Sequence, residues 1–176
     1  MNPPPSQSVK RILGIDPGLN VTGYGVIDFN GHQSIDLVEA GIIRGGSAKK
    51  PLGSRLLALK RGMEDIIESL QPDIVAMEEL YSHYARPRTA ILMGHARGVL
   101  CLAAAISELS IEHYPATQIK RVITGNGRAP KSQIQTTIMS MLDLGEPPDP
   151  PDVADALAIA ICHGFISMRQ TAMDIQ

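Results

Sequence analysis

The sequence predicts an α/β domain: one mixed five-stranded sheet with helices packed on its faces. Three short β-rich apolar segments separated by turn residues open the chain, and strand and helix patterns then alternate. A length of 176 residues suits one compact domain and is too short for two large lobes.

Val9 to Ile15 is a short apolar run, the pattern of a buried strand, and Pro17-Gly18-Leu19-Asn20 is strong turn chemistry. Thr22 to Phe29 alternates with period two, Asn30-Gly31 closes a hairpin, and Ile35 to Ile43 reads as a third antiparallel strand. Gly45 to Gly53 is a loop. Between Ser54 and Leu70 the apolar residues Leu56, Leu59, Met63, Ile66, Ile67 and Leu70 fall at helical spacing. Asp73 to Glu79 follows Gln-Pro as a strand of the second half.

Thr89 to Leu109 predicts a long helix, rich in small residues and apolar almost all round. One sheet face cannot cover that much apolar surface, so the excess is expected to form a subunit interface. Ile111 to Tyr114 reads as a short strand, Ala116 to Ile123 as a helix, and Lys131 to Leu142 as another, entered through Gly125-Asn-Gly-Arg-Ala-Pro130. Pro147-Pro-Asp-Pro-Pro151 stiffens a connector, and a last helix runs from Asp152 to about Met168. Residues 1–8 are expected to be a disordered tail, 9–168 a single domain and 169–176 a C-terminal tail.

Composition narrows the function classes. At 44% hydrophobic and 19% charged, the chain can bury a real core and is not disordered. No apolar run reaches the roughly 18 residues that a membrane span needs, and Met1 to Ser8 lacks the basic and apolar regions of a signal peptide. Cys101 and Cys162 sit far apart inside apolar helical patterns, as buried thiols of a reducing cytoplasm would.

The net charge of −2 hides an asymmetry. From Ser82 to Gln135 the basic residues are Arg86, Arg88, Arg97, Lys120, Arg121, Arg128 and Lys131, and the acidic ones only Glu108 and Glu112. That segment carries +5 and the remainder −7. A plain solvated face would also look basic, but an acidic site beside a basic surface suits an enzyme that holds polyanions.

Four carboxylates define the acidic part. Asp16 ends the first apolar run, Glu78 ends the run from Ile74 to Met77, and Asp152 and Asp155 stand three residues apart at the start of the last helix. In a parallel strand pair, Asp16 and Glu78 would leave the same end of the sheet. Asp152 and Asp155 share one helix face. Each has an ordinary reading alone, such as a helix N-terminal charge, but together they would repel unless cations lay between them. All-oxygen ligands favour Mg²⁺ or Mn²⁺ over zinc, and a pair of such ions can hold both sides of a scissile phosphate. Glu79 follows Glu78 directly, and alternation along a strand lets only one of them reach the site.

Ile12-Leu-Gly-Ile-Asp-Pro-Gly-Leu-Asn-Val-Thr-Gly-Tyr-Gly-Val26 resembles the opening of the RuvC family of Holliday junction resolvases. Ala76-Met-Glu-Glu-Leu-Tyr81, Gly94-His-Ala-Arg-Gly98, Lys131-Ser-Gln133 and Asp152-Val-Ala-Asp-Ala-Leu-Ala-Ile-Ala160 match in order and spacing, from about Val9 to Phe165. The resemblance implies a ribonuclease-H-like fold and a homodimer that resolves four-way junction DNA by paired symmetric nicks. It implies Asp16, Glu78, Asp152 and Asp155 as the catalytic, metal-binding tetrad, with two Mg²⁺ per subunit. It singles out Glu78 over Glu79, places Tyr81 against bases at the junction centre, and sets Lys120 and Lys131 near the scissile phosphate. A branch-migration motor of the RuvA and RuvB type is the implied partner.

The chain departs from the family between Ser82 and Thr89, where an Asn-containing stretch gives way to Arg86 and Arg88 as phosphate contacts. His95 stands where Gln is usual, and Glu79 where Gln is common. Three other readings compete with this one. One is a ribonuclease-H-like nuclease acting on RNA or other branched DNA, and another a junction-binding protein that does not cut. The third, an actin-like ATPase sharing Gly14-Ile-Asp-Pro-Gly18, requires two lobes that this length cannot build.

Overall fold

The computed structural model describes residues 9–31, 33–80 and 87–174. Its elements are β1 (Lys10–Asp16), β2 (Val21–Phe29), β3 (Ile35–Arg44), α1 (Leu52–Leu70), β4 (Ile74–Glu78), α2 (Pro87–Ile106), β5 (Ile111–Tyr114), α3 (Ala116–Thr124), α4 (Lys131–Met141) and α5 (Pro151–Asp174). The expected mixed sheet is present, in the order β3-β2-β1-β4-β5. The β3-β2-β1 half is antiparallel, and β1, β4 and β5 run parallel.

Alternation along β1 sorts the core into two layers. Leu13 and Ile15 pack with α1 and α2, alongside Leu59, Met63 and Leu100. Ile12 faces the other way, into a cluster with Ile119 of α3, Ile134 of α4 and Leu157 of α5. Gly14 lies on that second face too: a Cβ there would collide with the Ala156 carbonyl oxygen and stand 2.7 Å from the Ala160 nitrogen. Gly25 would bring a Cβ 2.8 Å from Leu157 Cγ, and Gly23 one 3.1 Å from Asp152 Cβ. The three glycines therefore let α5 settle on β1 and β2 closer than any side chain would permit.

Most boundaries fall within a residue or two of those the pattern predicts. The exceptions are α2, which ends at Ile106 rather than Leu109, and α5, which continues to Asp174, so much of the expected C-terminal tail is helical. The expected tail at residues 1–8 lies outside the described residues. Counting uninterrupted apolar runs also understates two helices. Pro87–Ile106 and Pro151–Thr171 are long and apolar enough on average to cross a membrane. In α5 61% of that stretch is buried inside the fold, as in a core helix, and in α2 only 22%. Ala96, Leu100, Ala103 and Ala104 are the buried positions of α2, whereas Ile91, Leu102 and Ile106 are exposed and Gly94 and Gly98 face open space.

Replacing Gly14 by alanine forces backbone apart rather than a flexible side chain. Gly14→Ala is expected to lower unfolding stability by about 2–3 kcal/mol, as overpacking of a tight core does. A urea titration measures it, and an unchanged midpoint would mean that α5 sits less tightly than described.

Candidate active site

The parallel register of β1 and β4 places Ile15 beside Met77, so the next residues, Asp16 and Glu78, end the two strands side by side. Ile12 and Ala76 pack on the α5 face. Asp16 and Glu78 follow them at even spacing and emerge toward α5. The same alternation turns Glu79 away, and it is exposed. Gly23 is the β2 partner of Asp16, and Asp152 lies directly over Gly23. One helical turn on, Asp155 accepts a hydrogen bond from Lys131 Nζ at 2.8 Å. Lys131 opens α4 with a side chain 71% exposed, against 25% for Asp155. Glu78, Asp155 and Lys120 of α3 line one small open pocket together with Ile119 and Ile134.

The electrostatics register this convergence. Burial, followed by repulsion from Asp155, Glu78 and Asp152, pushes the Asp16 carboxyl up to about 7 despite the opposing charge of Lys131. Burial and Asp155 also raise Glu78, against the pull of Lys120, Lys131 and Arg97. Lys131 is raised in turn, first by its hydrogen bond to Asp155. Four carboxylates thus share one field, with two lysines at its edge.

Among the described residues, no three His, Cys, Asp or Glu side chains stand close enough to hold one ion between them as they are. The Lys131 ammonium is the cation on Asp155 in this arrangement. The donor set nevertheless fits a hard divalent ion. It is all carboxylate, and its mutual repulsion is the strain that a cation relieves.

Tyr81 and Arg86 fall outside the described residues. Arg88 is exposed in the first turn of α2 and is not among the charges acting on Asp16 or Glu78. His95 bonds the Ile91 carbonyl through Nδ1 at 2.7 Å, within its own helix. The sequence reading assigned no site role to Arg97, whose guanidinium donates to the Glu78 carbonyl oxygen. Its signal was there: Arg97 is the single charged residue from Thr89 to Ser107.

The family profile of "Crossover junction endodeoxyribonuclease RuvC" matches residues 12–163. A protein of that name from Rhodopirellula baltica is 51% identical over 91% of this chain and 89% of its own length. Another, from Desulforamulus reducens, is 46% identical over 86% of this chain and 91% of its own. The fold is similar to that of Thermus thermophilus RuvC solved in complex with a Holliday junction substrate. The TM-score is 0.87 at 29% identity, covering 92% of this chain and 97% of that one. With the family profile matched over residues 12–163 and a relative 51% identical across nearly its whole length, the chain belongs to the RuvC family of crossover junction endodeoxyribonucleases.

Proposed function

We propose that this chain resolves four-way DNA junctions by paired symmetric nicks, each leaving a 5′-phosphate and a 3′-hydroxyl. The observation that carries the reading is the acidic cluster of Asp16, Glu78, Asp152 and Asp155, set beside Lys120 and Lys131. The carboxylates would hold Mg²⁺, two ions per subunit, with Mn²⁺ able to substitute. When bound, such ions supply a water of lowered pKa and charge compensation at the departing 3′ oxygen.

The chain's own residues do the rest. Asp16 and Glu78 stand on the last rungs of the sheet, so both carboxylates leave it at the same end. Asp152 and Asp155 approach on one face of α5. Lys131 carries a charge on an exposed stem that reaches from Asp155 toward a scissile phosphate, and Lys120 borders the same pocket. Tyr81 would stack on bases at the junction centre, a contact worth about 1–3 kcal/mol, with Arg86 and Arg88 on nearby phosphates.

Two symmetric nicks require two sites, hence a homodimer. The open face of α2, with Ile91, Leu102 and Ile106 exposed around Gly94 and Gly98, suits a second copy of the chain. Location in the cytoplasm and partnership with a RuvA and RuvB type motor complete the reading.

Asp16→Asn should abolish cleavage of a synthetic four-way junction in Mg²⁺ while junction affinity stays within about threefold. Cuts mapped across the crossover, with duplex, flap and RNA substrates alongside, test substrate choice. An active Asp16→Asn enzyme would contradict the assignment.

The raised Asp16 carboxyl fixes a pH signature. With its folded value about 7 against the usual 3.8, the folded state keeps a proton that the unfolded chain has lost between those limits. This contribution to stability is present at low pH and disappears as pH rises toward 7. Mg²⁺ should therefore raise the melting temperature at pH 8 by about 3 °C or more and have little effect at pH 5. Asp16→Asn should melt higher than the parent at pH 8 without metal, with a blunted Mg²⁺ response. Equal Mg²⁺ responses in the two proteins would show that Asp16 is not a ligand.

A charge on the open face of α2 tests the dimer. Leu102→Lys should shift sedimentation toward the monomer and leave the melting profile of the monomer intact; an unshifted dimer would place the interface elsewhere.

A further inference from the structure

We propose that Arg97 is a positioning residue for Glu78, tying the last rung of the β4–β5 pair to helix α2. The inference rests on Glu78 being a metal-binding carboxylate.

Glu78 is the final residue of β4 and pairs with Tyr114, the final residue of β5. One further backbone bond, from the Glu79 amide to the Tyr114 carbonyl at 2.9 Å, closes the ladder, and the chain then leaves the sheet. A carboxylate on such a terminus needs its peptide held from outside if its oxygens are to keep a direction. Arg97 does this with both ends of its fork. Nη1 donates to the Glu78 carbonyl oxygen, and Nη2 donates to His113 Nδ1 at 2.7 Å. A guanidinium cannot accept, so His113 carries its proton on Nε2. His113 pairs with Met77, one rung before Glu78 and Tyr114. The fork therefore spans two strands at adjacent rungs, and α2, anchored through Ala96 and Leu100, supplies a rigid base.

Two properties separate this arrangement from generic surface charge. Arg97 is half-buried, and its partners are a backbone carbonyl and a neutral ring rather than a carboxylate. Its charge is consequently unspent locally and acts on the Glu78 side chain, opposing the repulsion from Asp155. A lysine offers a single point of donation and cannot bridge both partners.

The test is a double-mutant cycle read by Mn²⁺ binding calorimetry on the DNA-free protein, alongside junction cleavage. Arg97→Met should stay folded, bind junction within about threefold of the parent, lose about tenfold in kcat and bind Mn²⁺ about tenfold more weakly. Arg97→Lys should recover part of both losses. Because Arg97 acts through Glu78, Arg97→Met should weaken Mn²⁺ binding no further in a Glu78→Gln background. Additive losses would overturn the proposal, as would reduced junction affinity with kcat unchanged, which would make Arg97 a DNA contact. If Glu78→Gln alone binds Mn²⁺ like the parent, the metal reading of Glu78 fails and the Arg97 proposal falls with it. That outcome is told apart by the single variant.

Discussion

The close approach of α5 to the sheet is the constraint on which the acidic cluster depends. Asp16 and Glu78 are placed by strand register, but Asp152 and Asp155 arrive on a helix, and a helix normally stands off a sheet by the length of its side chains. At Gly14, Gly23 and Gly25 there are none to keep it away. The backbone of Asp152 and Ala156 descends onto β1 and β2, carrying two more carboxylates into the field of the first two. Bulk at any of these positions would lift the helix, and with it half the acidic cluster.

A protein that assembled such a cluster for stability alone would be poorly made. Like charges in a half-buried site raise each other's proton affinity, and the cost of ionising Asp16 near neutral pH is borne by the fold. The Lys131 bridge to Asp155 offsets little of it, because the lysine is largely exposed and its ion pair correspondingly screened. A cation arriving from solution would offset that repulsion, and in the proposed reaction it would free the lysines to meet an anionic substrate.

How much of this was legible in the sequence depends on the physics behind each feature. Strand period, helix period and turn residues located every element, because they are local signals. The strand-end carboxylates were legible for the same reason: a charge that terminates an apolar run has no packing role. Glu78 and Glu79 could not be separated locally, since alternation says only that they face opposite ways. Burial of Ala76 on the α5 side settles which one turns inward. The seating glycines looked like ordinary strand residues, because what makes them necessary is a helix more than a hundred positions downstream. Arg97 was counted as part of a basic segment. Its actual partner, a backbone carbonyl on β4, leaves no trace in side-chain pattern.

Helix α2 shows why mean hydropathy is a poor guide to a helix's setting. By length and composition it passes for a membrane span, yet it hides only a narrow stripe of alanines and Leu100 against α1. A bilayer would accept Ile91, Leu102 and Ile106 but would penalise the guanidinium in the middle of the helix by several kcal/mol unless it found a polar partner. Arg97 has found two, at the ends of β4 and β5. The helix therefore has a fixed orientation: its buried stripe on α1, its one charge on the end of β4, and its apolar remainder outward. A surface both apolar and rigidly held is what a symmetric protein contact requires, and the same rigidity lets Arg97 hold Glu78 still.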